Sequence, residues 1–64
     1  MTAVELYDKF ITNHRKPQSA YFRDTLSKNA TRCGLYRLKK RRGETFKLIQ
    51  KGNQLTIVDR LFNI

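Results

Sequence analysis

The first residues of the chain show the spacing of apolar positions that is typical of an amphipathic helix. Apolar side chains recur there at steps of three and four: Val4, Tyr7, Phe10 and Ile11. A helix with one buried face has this period. Thr2 supplies an N-cap hydroxyl and Glu5 follows three residues later, as in a capping box. The pattern predicts a helix from Thr2 to about Asn13 that packs on the core.

The next segment is predicted to contain a break and then a second helix. Pro17 cannot continue a helix, and it also disfavours helical backbone at the residue before it. Ser19 offers a new N-cap, followed by apolar residues up to Leu26, so a helix of two to three turns is expected. The polar residues 27–30 predict a turn after it.

A third, basic helix is expected to begin at Thr31, whose hydroxyl is a suitable N-cap, and to extend to about residue 42. At 100° per residue, Leu35 and Leu38 face the core. The opposite side is then formed by Cys33, Tyr36, Arg37 and Lys40. Gly34 costs such a helix about 1 kcal/mol relative to alanine, which is reasonable if a second backbone passes close to it.

After Gly43 the pattern changes to the alternation of β-strands. Residues 45–50 and 54–59 are rich in β-branched and aromatic side chains and predict two strands. A two-residue turn at Gly52 and Asn53 would pair Leu48 with Ile57. One face of this hairpin is then apolar: Phe46, Leu48, Leu55 and Ile57. An apolar tail follows: Leu61, Phe62 and Ile64.

The predicted fold class is therefore α+β, with two to three N-terminal helices followed by a C-terminal β-hairpin. In the alternative, the basic stretch is a strand, and two helices pack on a three-stranded antiparallel meander. Tyr36 and Leu38 would then join the inner face of the sheet. The outer face would be basic and would suit RNA or single strands: Leu35, Arg37, Lys39 and Arg41. That face lacks the aromatic residues used for base stacking, so the helix is favoured.

Charge is concentrated in the same stretch. The chain has 64 residues, a net charge of +9 and a pI near 10.3. Between Lys28 and Lys47 there are eight positive residues and one negative residue, a net of +7. A surface with this charge is suited to a polyanion. A chain this short forms one domain with a thin core, because it buries only about 60% of its unfolded surface. We therefore expect one small basic nucleic-acid-binding domain spanning residues 1–64.

Several other classes of function are disfavoured. One cysteine, Cys33, rules out an internal disulfide framework and, with the single His14, a cysteine-rich zinc site. Scattered acids and the absence of a nucleotide-binding glycine motif argue against an enzyme, a metal or a cofactor. No apolar run approaches the roughly 20 residues of a spanning helix. A non-enzymatic, cytoplasmic protein without membrane contact is expected.

The order of helix, helix, basic helix and hairpin resembles that of small winged helix-turn-helix DNA-binding proteins, including the Cro-like phage repressors. The similarity covers about Ser19 to Arg60 by element order. Its motif is residues 31–38 (TRCGLYRL), which look like the start of a recognition helix, with a capping hydroxyl, an apolar anchor and an arginine. The resemblance implies a small transcriptional regulator or DNA-architecture factor of phage, plasmid or bacterial type.

The resemblance also suggests which residues contact DNA. Tyr36, Arg37 and Lys40 would face base edges in the major groove, with phosphate contacts beside them and a wing at the hairpin tip. The complete predicted set is Lys28, Thr31, Arg32, Tyr36, Arg37, Lys39, Lys40, Arg41, Arg42, Lys51 and Asn53. One helix reads few base pairs, so a homodimer or a cooperative assembly on double-stranded DNA is expected.

Two other functions remain open at this point. The charge and the apolar tail also suit a small adaptor or inhibitor that docks on an acidic protein, such as a polymerase or nuclease subunit. An RNA-binding module is the other alternative.

Overall fold

The computed structural model describes residues 2–62. Within that range the chain forms two helices and three strands. In chain order these are α1 (Ala3–Thr12), β1 (Gln18–Tyr21), α2 (Thr25–Arg42), β2 (Phe46–Lys51) and β3 (Gln54–Asp59). The strands form one antiparallel sheet in the order β1-β3-β2. The α+β class is confirmed, but the expectation of a third helix is wrong.

The first predicted helix is present as α1, with the predicted capping box. The Thr2 hydroxyl accepts a hydrogen bond from the Glu5 backbone N–H at 3.2 Å, and the Glu5 carboxylate accepts one from the Thr2 N–H at 3.4 Å. The buried stripe differs in detail from the predicted one, since Leu6 takes part in it. Val4 and Ile11 remain 54% and 41% exposed and lie at its margin.

The predicted second helix is wrong, because its first residues form β1. His14 and Arg15 reverse the chain with φ angles of 58° and 60°. The segment after Pro17 then pairs with β3, placing Ala20 opposite Leu55. Ala20 is buried, and the two residues beside it are exposed. Pairing with a strand more than thirty residues away stabilises this segment more than its local capping signal at Ser19.

The basic helix also begins earlier than predicted. Its N-cap is Asp24, whose carboxylate accepts a hydrogen bond from the Ser27 N–H at 2.8 Å. Residues 27–30 are therefore helical and not a turn, and Thr31 lies inside the helix as a buried residue. The helix ends at Arg42, and Gly43, with a φ of 65°, caps it in the left-handed conformation.

The hairpin agrees with its prediction. Leu48 pairs with Ile57, and Lys51 pairs with Gln54 across a two-residue turn at Gly52 and Asn53. In the alternative fold the number of elements agrees with the structure, but its third strand, placed in the basic stretch, is wrong because that stretch is helical.

Both helices pack on the same face of the sheet, where all the members of one apolar cluster meet: Leu6, Tyr7, Phe10, Ala20, Leu35, Leu38, Phe46, Leu55 and Ile57. The Phe46 ring is central, with its centre 6.0 Å from that of Tyr7 and 6.4 Å from that of Phe10. On the other face of the sheet Tyr21 and Lys47 are exposed, whereas Val58 is fully buried. In the predicted apolar tail, Leu61 and Phe62 are exposed, and Ile64 lies outside the described residues.

Arg15 links the loop after α1 to the end of β3 and to the loop that precedes β2. Its Nε donates to Asp59 at 2.8 Å, its Nη1 donates to Glu44 at 3.2 Å, and its guanidinium lies 4.8 Å from the centre of the Phe10 ring. The hydrogen bonds with Arg15 and with the Leu61 N–H lower the pKa of Asp59. Two of the five acidic residues of the chain are thereby paired with Arg15.

Candidate nucleic-acid interface

The outer side of α2 changes character along its length. Leu35 and Leu38 are buried against the core, as predicted, and the four residues predicted on the opposite side are exposed: Cys33, Tyr36, Arg37 and Lys40. The first half of the helix exposes mainly uncharged side chains, among them Leu26 and Ala30. The second half exposes nearly all the charge. The candidate interface, called the basic surface below, is formed by Tyr36, Arg37, Lys40, Arg41 and Arg42.

The positive charge of this surface is not neutralised by nearby acids. Of the five acidic residues, Glu5 and Asp24 cap helices, and Glu44 and Asp59 bind Arg15. Asp8 is exposed on α1. Across residues 2–62, both ion pairs found involve Arg15. The guanidinium and ammonium groups of the basic surface therefore remain available to an external anion.

Two aromatic rings hold the basic residues at the edges of this surface. The Arg42 guanidinium lies 5.5 Å from the centre of the Tyr7 ring, and Lys39 Nζ lies 5.7 Å from the centre of the Phe46 ring. Burial and the neighbouring Glu44 raise the pKa of Tyr7, so its ring stays neutral beside Arg42. Sequence reasoning missed both contacts, although the mixed aromatic and basic composition is a general signal for such pairs.

Arg32 lies on the flank of α2 that faces away from α1. Its guanidinium carbon lies 5.7 Å from the centre of the Tyr36 ring. Its Nε is buried, and no hydrogen-bond partner is found for it among the described residues. The residue as a whole is half-buried. Arg32 therefore borders the basic surface, but much of its length is used in packing.

Three residues of the predicted DNA-binding set make contacts within the protein. Lys28 and Thr31 are 9% and 7% exposed and face inward. Lys28 Nζ donates a hydrogen bond to the Gly52 carbonyl at 2.9 Å. The Asn53 side chain accepts a hydrogen bond from the Thr25 hydroxyl at 3.2 Å, and its carbonyl accepts one from the Phe22 N–H at 2.8 Å.

The hairpin tip is therefore bound to the first turns of α2 and does not project as a free wing. Lys51 is exposed beside the tip. Lys28, which contacts the tip, precedes Arg41 by thirteen residues, which corresponds to about 20 Å along a helix axis. The structure thus brings together the basic residues of the second half of α2 and leaves Lys51 near the opposite end of the helix.

Two kinds of feature are absent from the described part of the chain. Within it, no three His, Cys, Asp or Glu side chains cluster in a way that could hold a metal ion. Nor does it contain a helix that is long and apolar enough to cross a membrane. Cys33 is a free, exposed thiol on the outer side of α2.

Comparison with protein-family models, with curated proteins and with solved structures finds no match for this chain. The resemblance to winged helix-turn-helix proteins therefore stays a prediction. The element order differs from that of these proteins at one point, because β1 lies where the first helix of a helix-turn-helix pair was expected. We therefore base the functional inference on the geometry and charge of α2.

Proposed function

We propose that this protein is a non-enzymatic DNA-binding protein that places the second half of α2 against double-stranded DNA. The observation that supports this proposal is the segregation of charge. Five consecutive positions contribute four exposed or half-exposed positive side chains, Arg37, Lys39, Lys40 and Arg41, while the acids near them are bound to Arg15. Such a surface attracts the phosphate backbone through counterion release.

The dimensions of α2 suit the major groove. Its 18 residues give a length of about 27 Å, and one helix with its side chains fills a groove about 12 Å wide. The outermost side chains, Tyr36, Arg37 and Lys40, would enter the groove, and those on the flanks would lie toward the phosphates. With sheet and α1 both on the inner side of α2, its outer side is free to approach a duplex.

A role as a small transcriptional regulator or DNA-architecture factor is consistent with this arrangement. One helix contacts few base pairs, so a specific regulator of this size would bind as a dimer or a cooperative array. Leu61 is 81% exposed at the end of β3 and is a candidate for contact between copies.

The test is a fluorescence-anisotropy titration with duplex DNA, duplex RNA and single-stranded DNA. A variant with Arg37→Gln, Lys40→Gln and Arg41→Gln is compared with a charge-matched control carrying Lys9→Gln, Lys16→Gln and Arg23→Gln, all at exposed positions. We expect the first variant to lose about 100-fold or more in affinity for duplex DNA, and the control to lose a few-fold. Equal losses would mean that net charge alone determines binding and would contradict the proposal.

A second candidate function is docking on an acidic protein. It is favoured by exposed apolar side chains that a DNA-bound monomer does not require, above all Leu26 and Leu61, each 81% exposed. A pull-down from nuclease-treated extract separates the two functions. A stoichiometric protein partner that survives the treatment supports the adaptor, whereas loss of all retained material with the nucleic acid supports DNA binding.

A further inference from the structure

A groove of about 230 Å³ lies between the start of α1 and the second half of α2. It combines an apolar side with three arginines: Ala3, Val4, Leu38, Arg37, Arg41 and Arg42. Positions 34, 37, 38 and 41 of α2 follow the spacing of a single helix face. This flank of the basic surface therefore forms a concave site, in contrast to the convex outer side of the helix.

The groove exists because the two helices approach each other closely at Gly34. A Cβ atom at this position would lie 2.8 Å from the Ala3 Cβ, closer than such atoms approach in proteins. The close approach brings Val4 alongside the arginines and leaves it 54% exposed. An exposed valine beside arginines is not explained by the core, which α1 supplies through Leu6, Tyr7 and Phe10.

The positive potential of the groove comes from its arginines and not from the end of α1. The Glu5 carboxylate already accepts hydrogen bonds from the Thr2 N–H and hydroxyl at that helix end, and its charge offsets the helix dipole. Arg42 is held by the Tyr7 ring. None of the three arginines forms an ion pair with another described residue.

We propose that this groove holds one sugar-phosphate unit of the nucleic-acid backbone. Arg37, Arg41 and Arg42 donate hydrogen bonds to the phosphate, and the sugar packs against Val4. The backbone alternates an anionic phosphate with a largely apolar sugar edge, which matches the arginines and the apolar side of the groove. Arginine also suits phosphate because its planar fork donates two parallel hydrogen bonds.

This assignment rests on the proposed function and refines it. Arg37 contacts a phosphate and not a base edge, so that Tyr36 and Lys40 are the side chains left to face the bases. The α1 side of the molecule then lies over one DNA strand, and α2 enters the major groove of the DNA beside that strand. The orientation of the protein on the duplex follows from which flank of α2 holds the backbone.

The first test places a carboxylate in the groove. Val4→Glu is compared with Ile11→Glu, since Ile11 is also an exposed apolar residue of α1 and lies two turns further along nearly the same face. Both changes alter net charge by the same amount. We expect Val4→Glu to lower the affinity for a duplex about tenfold more than Ile11→Glu does, with circular dichroism confirming that both variants fold.

The second test uses the salt dependence of the same binding. Loss of one phosphate contact decreases the steepness of the negative slope of log K against log salt by about 0.9. Arg41→Gln should show this decrease, and the control Lys16→Gln should leave the slope unchanged. Inorganic phosphate is added as a competitor, and we expect it to displace the duplex only at concentrations where chloride of equal ionic strength does so.

The outcomes are distinguishable. If the parent protein binds duplex DNA but Val4→Glu and Ile11→Glu have equal effects, the groove assignment is overturned and the proposed function stands. If phosphate displaces the duplex at concentrations where chloride has no effect, the groove is a site for the free anion, which also overturns the assignment to backbone. If the parent protein binds no duplex at all, the proposed function and this inference fail together.

Discussion

The two halves of α2 use the same kind of residue for opposite purposes. In the first half, Lys28 is turned inward, and its ammonium group binds the carbonyl of Gly52 at the hairpin tip. In the second half, Lys40 and Arg41 point into solvent with no acidic partner among the described residues. The position of a basic residue on α2 therefore determines whether its charge binds within the fold or is exposed to solvent. The net charge of the stretch therefore overstates the charge available for binding.

Among substitutions that distinguish the two halves of α2, Lys28→Ala is expected to have the largest effect. This change removes a charged hydrogen bond and a buried aliphatic stem, and it leaves the Gly52 carbonyl without its partner. We expect the free energy of unfolding to fall by about 2 kcal/mol, which for a domain of this size corresponds to roughly 10 °C in melting temperature. Thermal or urea unfolding followed by circular dichroism measures this loss.

The matched control is Lys40→Ala, which should show the reverse behaviour. Its unfolding free energy should change by less than about 0.5 kcal/mol, as is usual for exposed positions, while its affinity for duplex DNA falls several-fold. Lys28→Ala, measured at a temperature where it is folded, should bind DNA within about twofold of the parent. If Lys28→Ala weakens DNA binding as much as Lys40→Ala, the two halves do not differ in the way described.

An intermediate effect is expected at Gly34, which lies between the two halves. Gly34→Ala gains about 1 kcal/mol of helix propensity, but its methyl group meets the Ala3 Cβ at 2.8 Å, and overpacking costs about 1 to 3 kcal/mol. We expect a net destabilisation of about 1 kcal/mol in urea unfolding. In an Ala3→Gly background the same substitution should become stabilising, and a persistent loss there would show that the close approach is not its cause.

The smallest effect concerns pH and the ion pairs of Arg15. Because Arg15 lowers the pKa of Asp59 below the ordinary value of 3.8, the unfolded state takes up protons first as the pH falls. The contribution of this pair is complete above about pH 5 and is lost as the pH drops through the lowered pKa of the folded state. Arg15→Gln should therefore lower the melting temperature at pH 6 but much less at pH 2. An equal decrease at both pH values would assign the effect to packing on Phe10.

Sequence reasoning succeeded where the deciding interactions are local. The capping box of α1, the turn at Gly52 and Asn53, and the pairing of Leu48 with Ile57 all follow from residues close together in the chain. The inward direction of Leu35 and Leu38 follows from helical periodicity alone. The need for a small residue at Gly34 was also predictable, although its neighbour Ala3 was not.

The wrong predictions concern segments whose structure depends on contacts between residues that are far apart in the chain. β1 is only four residues long, and its register depends on β3, as the 2.8 Å contact between the Ser19 and Thr56 hydroxyls illustrates. Asp24 and Thr31 both offer N-caps, and the choice between them follows from the packing of Lys28 and Thr31 in the interior. A buried lysine is rare enough that sequence patterns assign it to the surface. For this reason Lys28 was placed among the predicted DNA contacts.

Backbone amide shifts in nitrogen-15 spectra, followed during titration with a short duplex, show whether the second half of α2 is the DNA-binding surface. We expect the largest shifts in residues 34–42 and at the start of α1, with little change at the hairpin tip or at residues 25–31. Shifts concentrated on the open face of the sheet, around Tyr21, Lys47 and Lys51, would contradict this expectation.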